Sequence, residues 1–316
     1  MIQDKPKISI ITASKNDGRF LRQTIESILN QSFTDYEHIV VDGVSTDNTI
    51  ELLKKYKHIK WISEPDRGAA DAFYKALSMC RGEYIMLCCV SDGYLDRDWF
   101  KKCIEFLDNN QDISLVYGLA QQMTEDDVLG KVVCSTFINQ MPPQKMDFLP
   151  FWLGTYLLYS ESTYCVRARV YKECFFKYDE TGIFLENDPV LSFNYNFNVK
   201  GYLPHFIPVV ASYGRYHKDS VSVKLAECNR TMKKQCFAAV DKYRNDLLSG
   251  KIKHYFRDGD SNIIGSVSSD VLKNYRKKIL HYQLNRSAYL GKKRKISLSH
   301  QIKKLRILIN YYLGKN

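Results

Sequence analysis

Residues 7–49 read KISIITASKNDGRFLRQTIESILNQSFTDYEHIVVDGVSTDNT, and their periodicity decides the fold. Lys7 to Ala13 is a short β-branched run, the composition of a buried strand. Residues 18–31 place Phe20, Leu21, Ile25, Ile28 and Leu29 at helical spacing. Glu37 to Asp42 is a second apolar run, ending on a carboxylate and Gly43, and Thr46 to Lys57 reads as a helix. Outward from this core, Ile59 to Ser63 forms a third strand, residues 68–80 a helix, and Glu83 to Val90 a fourth strand. Strands and helices alternating over short links predict a Rossmann-like α/β fold, a mainly parallel sheet flanked by helices. Such sheets bind ligands at the carboxyl ends of their strands. The polar clusters fall there: Thr12 to Asp17, Asp42 to Asp47, Glu64 to Arg67, and Ser91 to Gly93.

Composition narrows the class. The chain has 316 residues, 45% hydrophobic and 26% charged, which excludes collagen, a coiled-coil rod and wholesale disorder. No apolar run is long enough to predict a transmembrane helix. The start, MIQDKPKISIITASKNDG, has no signal-cleavage pattern, so a cytoplasmic location is expected. Nine cysteines without a C-x-x-C pair are expected to be free thiols in a reducing compartment. Charge is uneven: residues 221–316 carry 22 basic against 6 acidic residues, while the remainder is mildly acidic. A basic tail of this kind suggests an anionic partner, a membrane surface or nucleic acid. No zinc-finger or RNP pattern supports nucleic acid.

Beyond residue 112 the pattern weakens. Leu115 to Tyr117 reads as a strand, 119–160 as a loop-rich segment, and 223–247 and 270–290 as helices. Five constellations carry polar groups suited to chemistry. In VVDGVSTDNT, Asp42 can accept from a nucleobase or ribose, while Ser45 and Asp47 can equally serve as caps. In SEPDRGAADAFYKAL, Asp66, Arg67 and Asp71 surround a glycine at a helix start, and arginine suits a diphosphate. In CCVSDGYLD, Asp92 follows an apolar strand and can hold a divalent cation. In FLENDPVLSFNYN, Glu186 and Asp188 precede a helix, as caps or as a general base. In YGRYHKDSVS, Arg215, His217 and Lys218 are candidate phosphate or metal contacts.

These segments, in this order, resemble a family-2 inverting glycosyltransferase of the GT-A fold. The resemblance covers residues 7–222, including SEPDRGAADAFYKAL, RGEYIMLCCVSDG, a Y-x-x-R-x-x-x-Y-like stretch from Tyr164 to Tyr171, and ENDPVL. It implies a catalytic domain over 1–222 followed by a basic, mainly helical extension over 223–316. It implies that Thr12, Ser14, Asn16, Asp42, Asp66, Arg67 and Asp71 hold a nucleoside-diphosphate sugar, with UDP as carrier. It implies Mn²⁺ or Mg²⁺ at Asp92 with His217 in the loop over the diphosphate. Asp188 takes the general-base position, with Glu186 as second candidate. The expected acceptor is a glycan or lipid-linked glycan, and the expected product a β-glycoside. One departure stands out, Gly93, where the family motif carries a second carboxylate. A non-catalytic nucleotide-sugar-binding module stays open as the alternative.

Overall fold

The computed structural model describes residues 5–133, 141–175, 189–220 and 226–293. Glu186, Asp188 and the tail beyond residue 293 lie outside the described residues. The four expected strands are present: β1 (Ile8–Ser14), β2 (Tyr36–Asp42), β3 (Ile59–Ser63) and β4 (Tyr84–Leu87). They run parallel in the order β3-β2-β1-β4. Ser14 pairs with Asp42, and Asp42 with Ser63, so three strands end at one level. β1 is buried along most of its length, and β2 and β4 are buried too, as expected where helices cover both faces. Helix α1 (Gly18–Leu29) buries Phe20, Leu21, Ile25 and Ile28 of the stripe its spacing predicts, while Leu29 at its end is exposed. Helices α2 (Thr49–Lys55), α3 (Ala69–Met79) and α4 (Trp99–Asn109) complete the flanking layers.

The segment 119–160 departs from the loop-rich expectation. It contains the rest of β6 (Leu115–Met123), then β7 (Leu129–Val133) and helix α5 (Phe148–Thr155). Every residue of α5 is buried, so it has no polar face and no periodic signal. Pro150 sits in its first turn, where a backbone N–H has no intrahelical acceptor.

The sheet then extends through β8 (Tyr164–Arg167), β6, β9 (Pro204–Arg215) and the short β5 (Gly93–Tyr94). β8 is antiparallel to both β4 and β6, and β9 runs parallel to β6. Helices α6 (Ala168–Cys174) and α7 (Pro189–Val199) follow β8 in the chain. The sequence reading did not place β9, yet it carries the cleft side of the sheet to Arg215.

The basic extension packs on this body. Helix α8 (Ala226–Leu248), the hairpin β10 (Tyr255–Arg257) and β11 (Ile263–Ser266), and helix α9 (Ser269–Lys293) follow. Met232, Cys236, Val240, Tyr275 and Ile279 join the same apolar core as β1 and β4. Tyr282 of α9 meets Phe151 of α5 edge-on at 5.1 Å. Seven described cysteines are free thiols, and all but Cys89 are buried.

Candidate active site

The carboxyl ends of β1, β2 and β3 converge on Asp42. Its carboxylate is fully buried and accepts hydrogen bonds from Ser45 N at 2.9 Å, Ser63 Oγ at 2.7 Å and Ser45 Oγ. The Ser45 hydroxyl in turn receives Asn16 N at 2.8 Å, and Asn16 Oδ1 accepts Thr46 N at 2.7 Å. The turn after β1 is thereby tied to the turn after β2. The tie needs unusual backbone, for Asn16 has φ 56° and Val44 φ 61°. A β-branched residue at positive φ is strained, and strain of this sort collects at functional turns. Asp66 faces the same turn: a Cβ on Gly43 would lie 2.2 Å from Asp66 Oδ2, so glycine is required for that approach. Asp66 Oδ1 accepts Gly68 N at 2.9 Å, and Arg67 pairs with Asp71 at 3.3 Å while remaining mostly exposed. Asn16, Asp42, Asp66, Arg67 and Asp71 thus share one edge.

Thr12 stands differently from the contact role the resemblance implies for it. Thr12 is buried within the sheet, where its hydroxyl bonds Cys88 O at 2.8 Å and His38 Nε2 at 2.9 Å. It positions β1 against β4 and presents no group to the cleft. Ser14 Oγ is buried, with no hydrogen-bond partner among the described residues. Asp47 is a capping residue: it accepts Thr49 N at 3.0 Å and Gly18 N at 2.9 Å. Burial pushes that carboxyl up, but these hydrogen bonds hold it below its usual range.

Asp92 lies past the end of β4, half-buried. Ser162 Oγ donates to Oδ2 at 2.8 Å and Arg215 N to Oδ1 at 3.1 Å. Burial lifts its pKa to about 6, against the lowering effect of those two donors and the Arg215 charge. Gly93 pairs with Tyr213 across β5 and β9. A Cβ there would sit 2.5 Å from the Tyr213 hydroxyl and 2.8 Å from Ser27 Oγ. The departure at Gly93 is therefore built into the packing, since no carboxylate side chain fits that space.

The β9 end corrects the reading of its basic residues. The Arg215 side chain is fully buried, and its guanidinium bonds Thr124 O at 2.8 Å, Asp127 Oδ1 at 2.7 Å and Gln23 Oε1. It braces the motif turn through Ser91 O at 3.3 Å and is not placed to touch a phosphate. His217 is buried against Phe20, ring centroids 4.8 Å apart, and Arg19 Nη2 lies 3.1 Å from its Nδ1. Arginine only donates, so Nδ1 accepts, and the neutral ring carries its proton on Nε2. Burial, with Arg19 adding to it, holds the ring below its ordinary pKa although nearby carboxylates pull the other way.

A divalent cation is often held by one or two carboxylates together with substrate phosphates. Asp92 fits such a site, because each oxygen accepts one protein hydrogen bond and keeps a lone pair. His217 in this arrangement does not, its Nδ1 being engaged by Arg19. Among the described residues no group of three or more His, Cys, Asp or Glu side chains is arranged as a metal cage.

Sequence reasoning missed Glu161, Ser162 and Arg19. Glu161 Oε2 accepts the Cys89 thiol at 2.7 Å, so the turn at 161–163 clamps the Cys89–Asp92 turn at two points. Burial first, and then the Glu161 charge, push that thiol well above its ordinary range. Arg19 also pairs with Glu125 at 2.7 Å and Asp219 at 3.0 Å, joining α1 to two loops. The sequence offers little to flag Glu161, which lies in an aromatic-rich stretch without spacing to Asp92.

The model for "Glycosyl transferase family 2" matches residues 9–159, the stretch that contributes every one of these strand-end groups up to Tyr159. That match takes in just under half of the chain. A putative teichuronic acid biosynthesis glycosyltransferase TuaG of Bacillus subtilis is 36% identical over 109 residues, 33% of this chain and 42% of its own. An Escherichia coli chondroitin synthase is 30% identical over 116 residues, 35% of this chain and 17% of that protein. The matches span less than half the length of these relatives. In fold, the chain resembles S. aureus TarS 1–349, solved with UDP-GlcNAc, at TM-score 0.55 and 14% identity, covering 96% of this chain and 80% of that one. A Pyrobaculum calidifontis mannosyltransferase, solved with GDP-Man and Mn²⁺, gives TM-score 0.54 at 13% identity, covering 98% and 87%. The fold is thus the GT-A arrangement, a mixed sheet flanked by helices. No helix among the described residues is long and apolar enough to cross a membrane.

Proposed function

We propose that this family 2 domain makes the chain an inverting glycosyltransferase. It would move a sugar from a UDP-linked donor to a hydroxyl of a glycan or lipid-linked acceptor, leaving a β-glycosidic bond. The observation that carries the reading is the convergence of Asn16, Asp42, Asp66 and Arg67 at one sheet edge within a matched family 2 domain. The structural neighbours with UDP-GlcNAc and GDP-Man support a nucleotide-sugar donor.

The chemistry is one displacement. Asp188 takes the proton of the acceptor hydroxyl, whose oxygen bonds the anomeric carbon as the bond to the diphosphate breaks. The electron pair leaves with the diphosphate, on the face opposite attack, which inverts the centre. Asp66 would bind the nucleoside on the turns that buried Asp42 holds in place, and Arg67 would meet the diphosphate. Asp92 would hold a divalent cation, which when bound supplies positive charge to the leaving group. Fixing both substrates in one cleft contributes much of the acceleration.

The test is a panel of nucleotide sugars, scored for transfer, hydrolysis and thermal stabilisation. A donor at about 100 times its dissociation constant should stabilise by roughly 2.7 kcal/mol. Asp188→Asn should lower turnover at least about a hundredfold while donor binding holds. Wild-type turnover in that variant would remove Asp188 from the role. The walled-off space at Gly93 favours a second reading, a non-catalytic nucleotide-sugar-binding module. Stabilisation by a donor without transfer or hydrolysis would select it.

A further inference from the structure

The edge of the sheet away from Asp42 holds a pocket of the opposite charge. Lys5, Arg81, Arg169 and Lys172 line a cavity of about 530 Å³ together with Gly82, and no carboxylate lines it. The topology assembles them. Lys5 precedes β1, Arg81 and Gly82 lead into β4, and Arg169 and Lys172 stand on α6 directly after β8. Ile8 pairs with Tyr84, and Tyr84 with Arg167, so these three strand ends meet at one level. β1 has seven residues, and at about 3.3 Å each they put roughly 20 Å between this level and the Ser14–Asp42 edge.

All four cations are exposed. Buried Glu37 takes Arg81 Nε at 3.4 Å, but it also takes Lys60 Nζ at 2.8 Å, so one carboxylate faces two cations. Lys172 Nζ is 3.4 Å from Cys80 O, which holds it at the pocket. Four like charges in one concavity repel each other, and a multivalent oxyanion relieves that repulsion. Guanidinium forks and ammonium groups both suit phosphate oxygens.

We propose that this pocket is a second binding site, for a phosphate or diphosphate group carried by a soluble anion or a lipid headgroup. It is independent of the transferase reading, because no residue is shared with the opposite edge. The probe is inorganic diphosphate, titrated calorimetrically into the full chain and into Arg169→Gln/Lys172→Gln. Both side chains are exposed, and an unchanged melting temperature separates loss of charge from loss of fold. Diphosphate affinity should fall at least about tenfold, since two of the four facing charges are gone. Phosphatidate-containing vesicles distinguish the sources. A fall in sedimentation of the double variant relative to the unaltered chain points to a headgroup, and diphosphate loss alone points to a soluble anion. Unchanged diphosphate affinity together with unchanged vesicle binding would overturn the proposal.

Discussion

Asp92 costs stability at neutral pH. Its folded pKa is about 6 against an ordinary 3.8, raised by burial. Folding thus favours the protonated acid. Its stabilising contribution is complete below about pH 3.8 and is lost as pH rises through about 6. Asp92→Asn keeps an acceptor for Arg215 N and a polar group for Ser162. It should therefore raise stability by about 1–3 kcal/mol at pH 7 and above, a gain that opens between about pH 4 and 6. Chemical denaturation across that range checks it, and a pH-independent difference would show that the carboxylate is not desolvated. The same substitution should remove the response of activity to Mn²⁺, because the carboxylate proposed to hold the cation is gone. Residues such as Asp42 and Asp92 were legible in the sequence, as acids closing apolar strands. Arg215 was legible only as a basic residue near His217. Its burial depends on Gln23 and Asp127, which come from other parts of the chain.

At the scale of elements, α5 shows how packing overrides pattern. It is apolar on every side because β-sheet residues and α9 enclose it. Gly154 lies against α9, where an added Cβ would meet Tyr282 Cβ at 2.6 Å and Ile279 O at 2.9 Å. Gly154→Ala gains helix propensity of at most about 1 kcal/mol. Overpacking against a neighbouring backbone costs about 1–3 kcal/mol and should outweigh it. The urea midpoint should fall, and a rise would mean that α9 shifts freely on α5. The early strands and helices were legible because each buries a single stripe or alternates regularly with its neighbours. β9 was not, because its twelve residues mix buried and half-buried positions and include two prolines near one end.

Across the whole molecule, charge separates by region. The neutral-to-acidic sheet carries the candidate donor edge, and the last third carries the basic excess. Its helices α8 and α9 share the domain core, which accounts for their apolar residues but not for the lysines. The tail beyond residue 293 places Ile302, Leu305, Ile309 and Leu313 at helical spacing, bordered by Lys303, Lys304 and Arg306. We propose that this stripe lies in the headgroup plane of an anionic membrane, where each basic residue contributes about 1 kcal/mol. Full-length protein should sediment with anionic liposomes at low salt and release at high salt, and a version ending at Arg286 should sediment markedly less. Equal partitioning of the two, or indifference to salt, would assign the stripe to packing instead.

The sequence by itself determined the α/β class, the mainly parallel character of the first strands and which acids end them. Those features are local: the period of two or 3.6 and the turn residues are written within ten or fifteen neighbours. Only the tertiary structure decided that Thr12 is spent inside the sheet, that Gly93 is walled by Tyr213, and that Glu161 and Ser162 clamp the Asp92 turn. It likewise gathered Lys5, Arg81, Arg169 and Lys172 from three separate strand ends. Each of these contacts joins residues about 70 or more positions apart. Whether such side chains meet is fixed by strand order and register, which no local pattern encodes.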